Sequence, residues 1–223
     1  MIVLDKIRFS YPAESFELRL PHLRIEQGEA VALLGPSGCG KSTLMNLMSG
    51  ILLPAEGVIQ VNGVNIGVLG LAARQRFRLE TIGLVPQNFE LLDYLTIREN
   101  ILIPFRISSS RGLTTESRQR CEFLAERAGI TRHLEKYPGQ LSQGERQRAA
   151  LCRGLVTSPR LILADEPTGN LDPHNQDRIV ALLLDEAKAI GSSVVMITHD
   201  PGLLHRFDRS IYLQELLVAG GAA

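Results

Sequence analysis

The run Gly35-Pro36-Ser37-Gly38-Cys39-Gly40-Lys41-Ser42 spaces glycines, a lysine and a hydroxyl as G-x-x-x-x-G-K-S, with Thr43 following. That spacing suits phosphate chemistry. Glycines let backbone N–H groups wrap an anion, and a helix that starts there adds the positive end of its dipole. Lys41 supplies a point charge for the outer phosphates, and the Ser42 hydroxyl is set to hold Mg2+. The loop has the context it needs: the apolar run Ala30–Leu34 precedes it, and Leu44, Leu47, Met48 and Ile51 follow at helical spacing. Cys39 lies near the helix start, where thiols can be acidified, but it reads as a small filler.

Three further groups could act on a phosphate. Residues 161–166, Leu-Ile-Leu-Ala-Asp-Glu, put Asp165 and Glu166 at the C-terminal end of an apolar strand, where open α/β sheets bind ligands. Asp165 suits an outer hold on Mg2+, and Glu166 suits a general base for an attacking water. His199 follows a second apolar run, 194–198, so a neighbouring parallel strand would bring it to the same γ-phosphate. Ser142 and Glu145 form an S-x-x-E capping box at a helix start, with Gln143 and Gly144 between them. A serine-lined helix N-terminus is also an anion site, and one in a second copy could complete the first site in a two-fold dimer.

These residues need a scaffold. The 223 residues are enough for one large domain, and 44% hydrophobic with 22% charged residues is ordinary folding composition. Lys+Arg and Asp+Glu balance at 24 each, so no net field draws the chain to nucleic acid or an anionic membrane. Apolar runs fall well short of the roughly 20 residues that a spanning helix needs, so membrane contact must come through a partner. Residues 1–6 carry Asp5 where a signal peptide would continue its apolar stretch, and they read as mature protein. Cys39, Cys121 and Cys152 make no C-x-x-C pair, which fits a reducing cytoplasm without structural zinc.

Residues 3–9 and 16–20 alternate with period two and predict antiparallel strands, and residues 26–29 turn the chain. Residues 58–61 before Asn62-Gly63 predict a strand entering a tight hairpin. Residues 91–155 differ in character: Cys121, Leu124, Ala125 and Ala128 fall at helical spacing, with breaks at Gly112 and Pro138-Gly139, which predicts a helical lobe. Strand 161–164, helix Pro173–Ile190 and strand 194–198 follow. Asp172 as N-cap, Pro173 at the first position and Gly191 past the end frame that helix. The Gly/Ala tail from Ala219 is expected to fray.

Together, and in this order, these motifs resemble the nucleotide-binding subunit of ABC transporters from Met1 to about Leu213. The resemblance implies an α/β fold: a P-loop NTPase core with a mainly parallel sheet, an N-terminal antiparallel β subdomain and an inserted α-helical lobe. It divides a single domain into core (1–90 and 156–215), lobe (91–155) and tail (216–223). Residues 35–42 then look like Walker A, Gln87 like the Q-loop glutamine that also serves Mg2+, and 141–145 like the signature contacting nucleotide in trans. Residues 161–166 look like Walker B, Asn170-Leu171-Asp172 like the D-loop, His199 like the switch histidine, and Tyr11 like an aromatic that stacks on adenine. ATP and Mg2+ are implied, as are an integral membrane permease partner, a second copy of the chain, a place at the cytoplasmic membrane face, and no nucleic acid.

The run 164–172 is similar to the subfamily of lipoprotein-releasing, macrolide-export and cell-division ATPases. That implies export or extraction of lipoprotein, lipid or drug-like cargo, with regulation of a membrane partner in envelope remodelling as the alternative. A DNA-repair or translation ABC protein would carry coiled-coil, zinc-cysteine or second-cassette signals, and a small-molecule kinase would leave residues 141–145 unexplained. The sequence departs from the family's Leu-Ser-Gly-Gly-Gln at Gln143 and Glu145. If the first of those glycine positions needs positive φ, Gln143 is strained by roughly 1–2 kcal/mol. The end after Leu213 lacks the family's Asp-Gly hairpin.

Overall fold

Period-two alternation at the N-terminus becomes β1 (Ile2–Ser10) and β2 (Glu17–Ile25), paired antiparallel with Ile2 opposite Ile25. The structure, a computed structural model, describes residues 1–12, 16–108, 110–169 and 173–217, without the side chains of 173–175. β3 (Ala30–Leu34) leads through the glycine loop into α1 (Lys41–Met48). Ile51, expected on the same helical face, lies beyond the helix end and is 50% exposed. The reason is local: Ser49 N–H bonds Met45 O at 2.9 Å, and Gly50 turns left-handed at φ 67° to stop the helix.

β4 (Glu56–Val61) and β5 (Val64–Asn65) form the expected hairpin, with Asn62 and Gly63 both at positive φ, 50° and 76°. Then come α2 (Leu71–Thr81) and β6 (Ile82–Val85). α3 (Ile97–Ile107), α4 (Thr115–Arg127) and α5 (Gln143–Leu155) follow, each opened by a reciprocal capping box, at Thr96/Glu99, Thr114/Ser117 and Ser142/Glu145. Among the described residues, no strand lies between β6 and the next strand, β7 (Leu161–Asp165). α6 (Pro173–Ile190) ends before Gly191 at φ 69°, and β8 (Ser193–Ile197), β9 (Arg209–Tyr212) and the short α7 (Leu213–Leu216) complete the chain. The sequence reading missed α2, β6, β9 and α7. Asp172, proposed as the cap of α6, and the tail from Ala219 lie outside the described residues.

Two sheets result: antiparallel β2-β1-β4-β5 and parallel β6-β7-β8-β3-β9. The parallel sheet is covered on both faces, so its strands read as continuous apolar runs rather than alternations. Successive residues feed different cores. Ala32, Leu34, Ile162, Ala164, Val194 and Met196 pack with α3, α4, α5 and α6. Val31, Leu33, Leu161, Leu163, Val195 and Ile197 pack with α1 and the antiparallel sheet. The α/β P-loop NTPase architecture is therefore present, with one sheet of each kind and helices on both sides.

Two contacts pin the helices. Gly83 on β6 faces Gly154 on α5 so closely that a Cβ on Gly83 would stand 2.0 Å from the Gly154 carbonyl oxygen. Glu186 of α6, 1% exposed, accepts hydrogen bonds from Arg120 at 2.7 Å and from Arg127, tying α4 to α6. No described helix is long and apolar enough to cross a membrane.

Candidate functional site

Strand order decides which loops meet. In β6-β7-β8-β3, Gln87 follows the first strand, Asp165 and Glu166 the second, His199 the third and the glycine loop the fourth. All run parallel, so these residues gather at one C-terminal edge, where open α/β sheets bind ligands.

The loop is built around Gly40. At φ 99°, a Cβ there would stand 2.8 Å from the Phe16 ring, so the position needs glycine on two counts. Cys39 N–H bonds Pro36 O at 3.4 Å, and the Cys39 thiol is half-buried under Gly35. Lys41 Nζ donates to the carbonyls of Gly35 and Pro36 at 2.7 and 2.9 Å, curled over the loop it would leave for a phosphate. A cavity of about 550 Å3 opens in front, lined by Ser37, Gly38, Gly40, Lys41, Ser42 and Thr43. Across it stand Tyr11, Phe16, Gln87, Asp165 and Glu166. Tyr11 packs edge-on to Phe9 with ring centroids 4.9 Å apart, and its hydroxyl lies 3.2 Å from the Thr43 hydroxyl.

Ser42 Oγ donates to Asp165 Oδ2 at 2.9 Å. These are two hard oxygen donors side by side at the cavity wall, the set that Mg2+ takes together with phosphate oxygens, so the residues fit that ion. Burial raises the Asp165 pKa above its ordinary value; the Ser42 hydrogen bond opposes that rise, and the neighbouring Glu166 charge adds to it. Glu166 holds a left-handed backbone at φ 44°, a conformation uncommon for a non-glycine residue. Its N–H bonds Ile197 O at 3.1 Å, which ties the end of β7 to β8. Its Oε2 accepts from Gln87 Nε2 at 3.2 Å and lies 3.5 Å from His199 Nδ1, on a largely exposed imidazole.

Ser142, Gln143, Gly144 and Glu145 do not line this cavity. They form the start of α5, where Ser142 Oγ accepts from Glu145 N at 3.4 Å. The expected backbone strain at Gln143 is absent: it opens α5 and is not among the residues with positive φ. A helical first position needs no glycine, and positive φ near the site falls instead on Glu166, Phe89 and Glu90. Asn170, Leu171 and Asp172 lie outside the described residues.

Two residues escaped the sequence reading. Phe16 floors the cavity beside Tyr11, with ring centroids 6.1 Å apart, and only its place at the head of an alternating strand hints at it. Arg153 of α5 donates to the carbonyls of Glu90 and Phe89 at 2.5 and 2.6 Å, holding two consecutive residues at positive φ just after Gln87. Burial lowers its pKa from the usual guanidinium value, and no local spacing signals a partner so far away in the chain.

Comparison with known proteins agrees with this arrangement. The family model described as ABC transporter matches residues 18–169. The chain is 42% identical over 193 residues to the lipoprotein-releasing system ATP-binding protein LolD of Pseudomonas fluorescens, covering 86% of this chain and 84% of the relative. It is 40% identical over 197 residues to the macrolide export ATP-binding/permease protein MacB of Rhodopirellula baltica, covering 88% of this chain and 29% of that longer protein. Among solved structures, the dimeric bacterial ABC transporter cassette MJ0796 superposes with a TM-score of 0.87 at 33% identity, over 95% of this chain and 94% of that one. A second MJ0796 dimer, a post-hydrolysis state bound to ADP and Pi, gives the same TM-score at 32% identity, with the same coverage. This chain belongs to the ABC transporter family, as an ATP-binding cassette that hydrolyses ATP.

Proposed function

We propose that this cassette couples ATP-driven closure of a homodimer, and its reopening on hydrolysis, to a separate membrane-spanning permease at the cytoplasmic face. The cargo we propose is lipoprotein, lipid or a drug-like molecule for export or extraction, in keeping with the LolD and MacB relatives. One observation carries the chemical half: Glu166 stands at the wall of the phosphate-loop cavity, with Gln87 and His199 at its carboxylate.

Lys41 leaves the Gly35 and Pro36 carbonyls for the β- and γ-phosphates, while Tyr11 offers its ring face to the adenine. Backbone N–H groups from Gly38 to Thr43 wrap the phosphates. Mg2+, when bound, would be held by Ser42, Asp165 and Gln87 and would neutralise phosphate charge. Glu166 takes a proton from the attacking water as general base, and His199 contacts the γ-phosphate beside it. Ser142 and Gly144 of a second copy close over the same γ-phosphate, with Gln143, Glu145 and the Asp172 segment at the seam. ATP favours the closed pair because only that state contacts the nucleotide from both sides, and hydrolysis removes the preference.

Transmission runs through residues 91–155, acting as a lobe. A cavity of about 460 Å3, lined by Ile51, Arg78, Gln87, Pro104 and Arg153 among others, borders both α1 and the helices of that lobe. A permease segment seated there would sense Gln87 directly.

The test is Glu166→Gln. Turnover is expected to fall about 10²- to 10⁴-fold while MgATP binding persists and the chain accumulates as a dimer. Hydrolysis within tenfold of wild type removes Glu166 from the role of base, and a monomer at saturating MgATP removes the dimer.

A further inference from the structure

Glu145 puts a carboxylate in the first turn of α5, beside the serine that our proposed mechanism sends to a γ-phosphate. Its Oε2 accepts from both the Ser142 N–H and the Ser142 hydroxyl, each at 2.8 Å. Ser142's backbone N–H, then its hydroxyl, hold the Glu145 carboxyl below its ordinary pKa, with His133 and Arg148 adding to the effect. An ionised Glu145 thus competes with the incoming phosphate for one hydroxyl hydrogen, and repels that phosphate as well.

The opposing group is His133, at the end of a single 3-10 turn, Thr131–His133, and only 5% exposed. Its Nε2 lies 2.9 Å from the other Glu145 oxygen, Oε1. Arg132 Nε lies 3.0 Å from the same Nε2, and one nitrogen cannot both accept from Arg132 and donate to Glu145. The carboxylate decides the tautomer. A proton on Nδ1 instead would leave a buried donor with no partner and turn a lone pair on Glu145, since Nδ1 has no hydrogen-bond partner among the described residues. Nε2–H therefore points at Glu145, and the close Arg132 contact cannot be a hydrogen bond to the same nitrogen.

We infer that His133 is a positioning residue for ATP-dependent dimer closure: by binding Glu145 Oε1 it offsets the carboxylate that would otherwise keep the Ser142 hydroxyl from a γ-phosphate in the second copy. This rests on the trans contact proposed above. A glutamine at position 145 carries no charge to offset, so the need for His133 belongs to a chain with Glu145.

The experiment is a double-mutant cycle. Glu166→Gln protein, with and without His133→Ala, Glu145→Gln and both, is titrated with MgATP, and dimer is measured by analytical ultracentrifugation. His133→Ala is expected to raise the half-saturating MgATP for dimer formation about tenfold, the loss of one charge-assisted hydrogen bond. In the Glu145→Gln background the same change is expected to shift it less than about twofold. His133→Arg, which restores a donor to Oε1, is expected to recover most of the loss. Binding of MgATP to monomer at low protein concentration should stay unchanged throughout. Equal loss in both backgrounds, or no loss in the first, overturns the role of His133. If His133→Ala does not fold, His133→Leu, closer in volume, gives the same cycle. Failure of Glu166→Gln protein itself to dimerise would instead overturn the trans site, so the two failures are distinct.

Discussion

Asp165 Oδ2 accepts the Ser42 hydroxyl hydrogen at 2.9 Å, joining residues 123 positions apart across the edge of the parallel sheet. Burial is the main influence on this acid and raises its pKa, so the folded chain holds the proton more tightly than the unfolded chain does. Such a group costs stability above its folded pKa, and the cost fades as pH falls through that value toward the unfolded one. Asp165→Asn is therefore expected to raise the melting temperature of the nucleotide-free protein near neutral pH. The advantage should shrink as pH falls toward the ordinary aspartate value of 3.8, while ATP hydrolysis is lost. Calorimetry at both pH values checks this, and a lower melting temperature at neutral pH would contradict it.

Tyr11 presents a ring to the cavity, but its hydroxyl is engaged with Thr43 rather than with ligand space. If the ring face stacks on adenine, Tyr11→Ala should weaken ATP binding about 5- to 30-fold, the worth of about 1–2 kcal/mol of stacking. Tyr11→Phe should stay within about threefold, since it gives up only a partly exposed hydroxyl pair. Fluorescent-nucleotide titration separates the two variants, and equal losses would assign the role to the hydroxyl.

Gly83 and Gly154 let β6 and α5 approach backbone to backbone. Because the obstacle to a Cβ on Gly83 is a carbonyl oxygen 2.0 Å away and not a movable side chain, Gly83→Ala must displace helix or strand. A loss of about 1–3 kcal/mol is expected, which for a chain of this size lowers the melting temperature by about 2–4 °C per kcal/mol. The strained segment that Arg153 holds after β6 lies next to this contact, so ATPase activity should fall further than the stability loss alone requires. Thermal melts paired with turnover at a temperature well below melting test both parts.

Much of this was legible from neighbours in the chain. Glycine, lysine and serine at 35–42 announced a phosphate loop because the wrap is local backbone geometry. Asn62-Gly63 announced its hairpin, Gly191 the end of α6, and Ser142 with Glu145 the start of α5, all through contacts within a few residues. α2 escaped notice because it buries no residue fully and so has no apolar stripe, and β6 and β9, at four residues each, are too short to show a period.

The sequence by itself determined residue types, their order, and the ends of the elements whose signals are local. Tertiary structure decided what spacing cannot encode. The order β6-β7-β8-β3 brings Gln87, Glu166, His199 and the glycine loop to one edge, although 164 positions separate the first residue of that set from the last. It also left Gln143 without positive φ while giving it to Glu166, and it put His133 against Glu145 and Arg153 against the carbonyls of Phe89 and Glu90. The physical reason is that helix caps and tight turns are set by bonds across three or four residues. Strand order and buried pairing depend instead on how two apolar cores are shared across one sheet, which no short window of the chain contains.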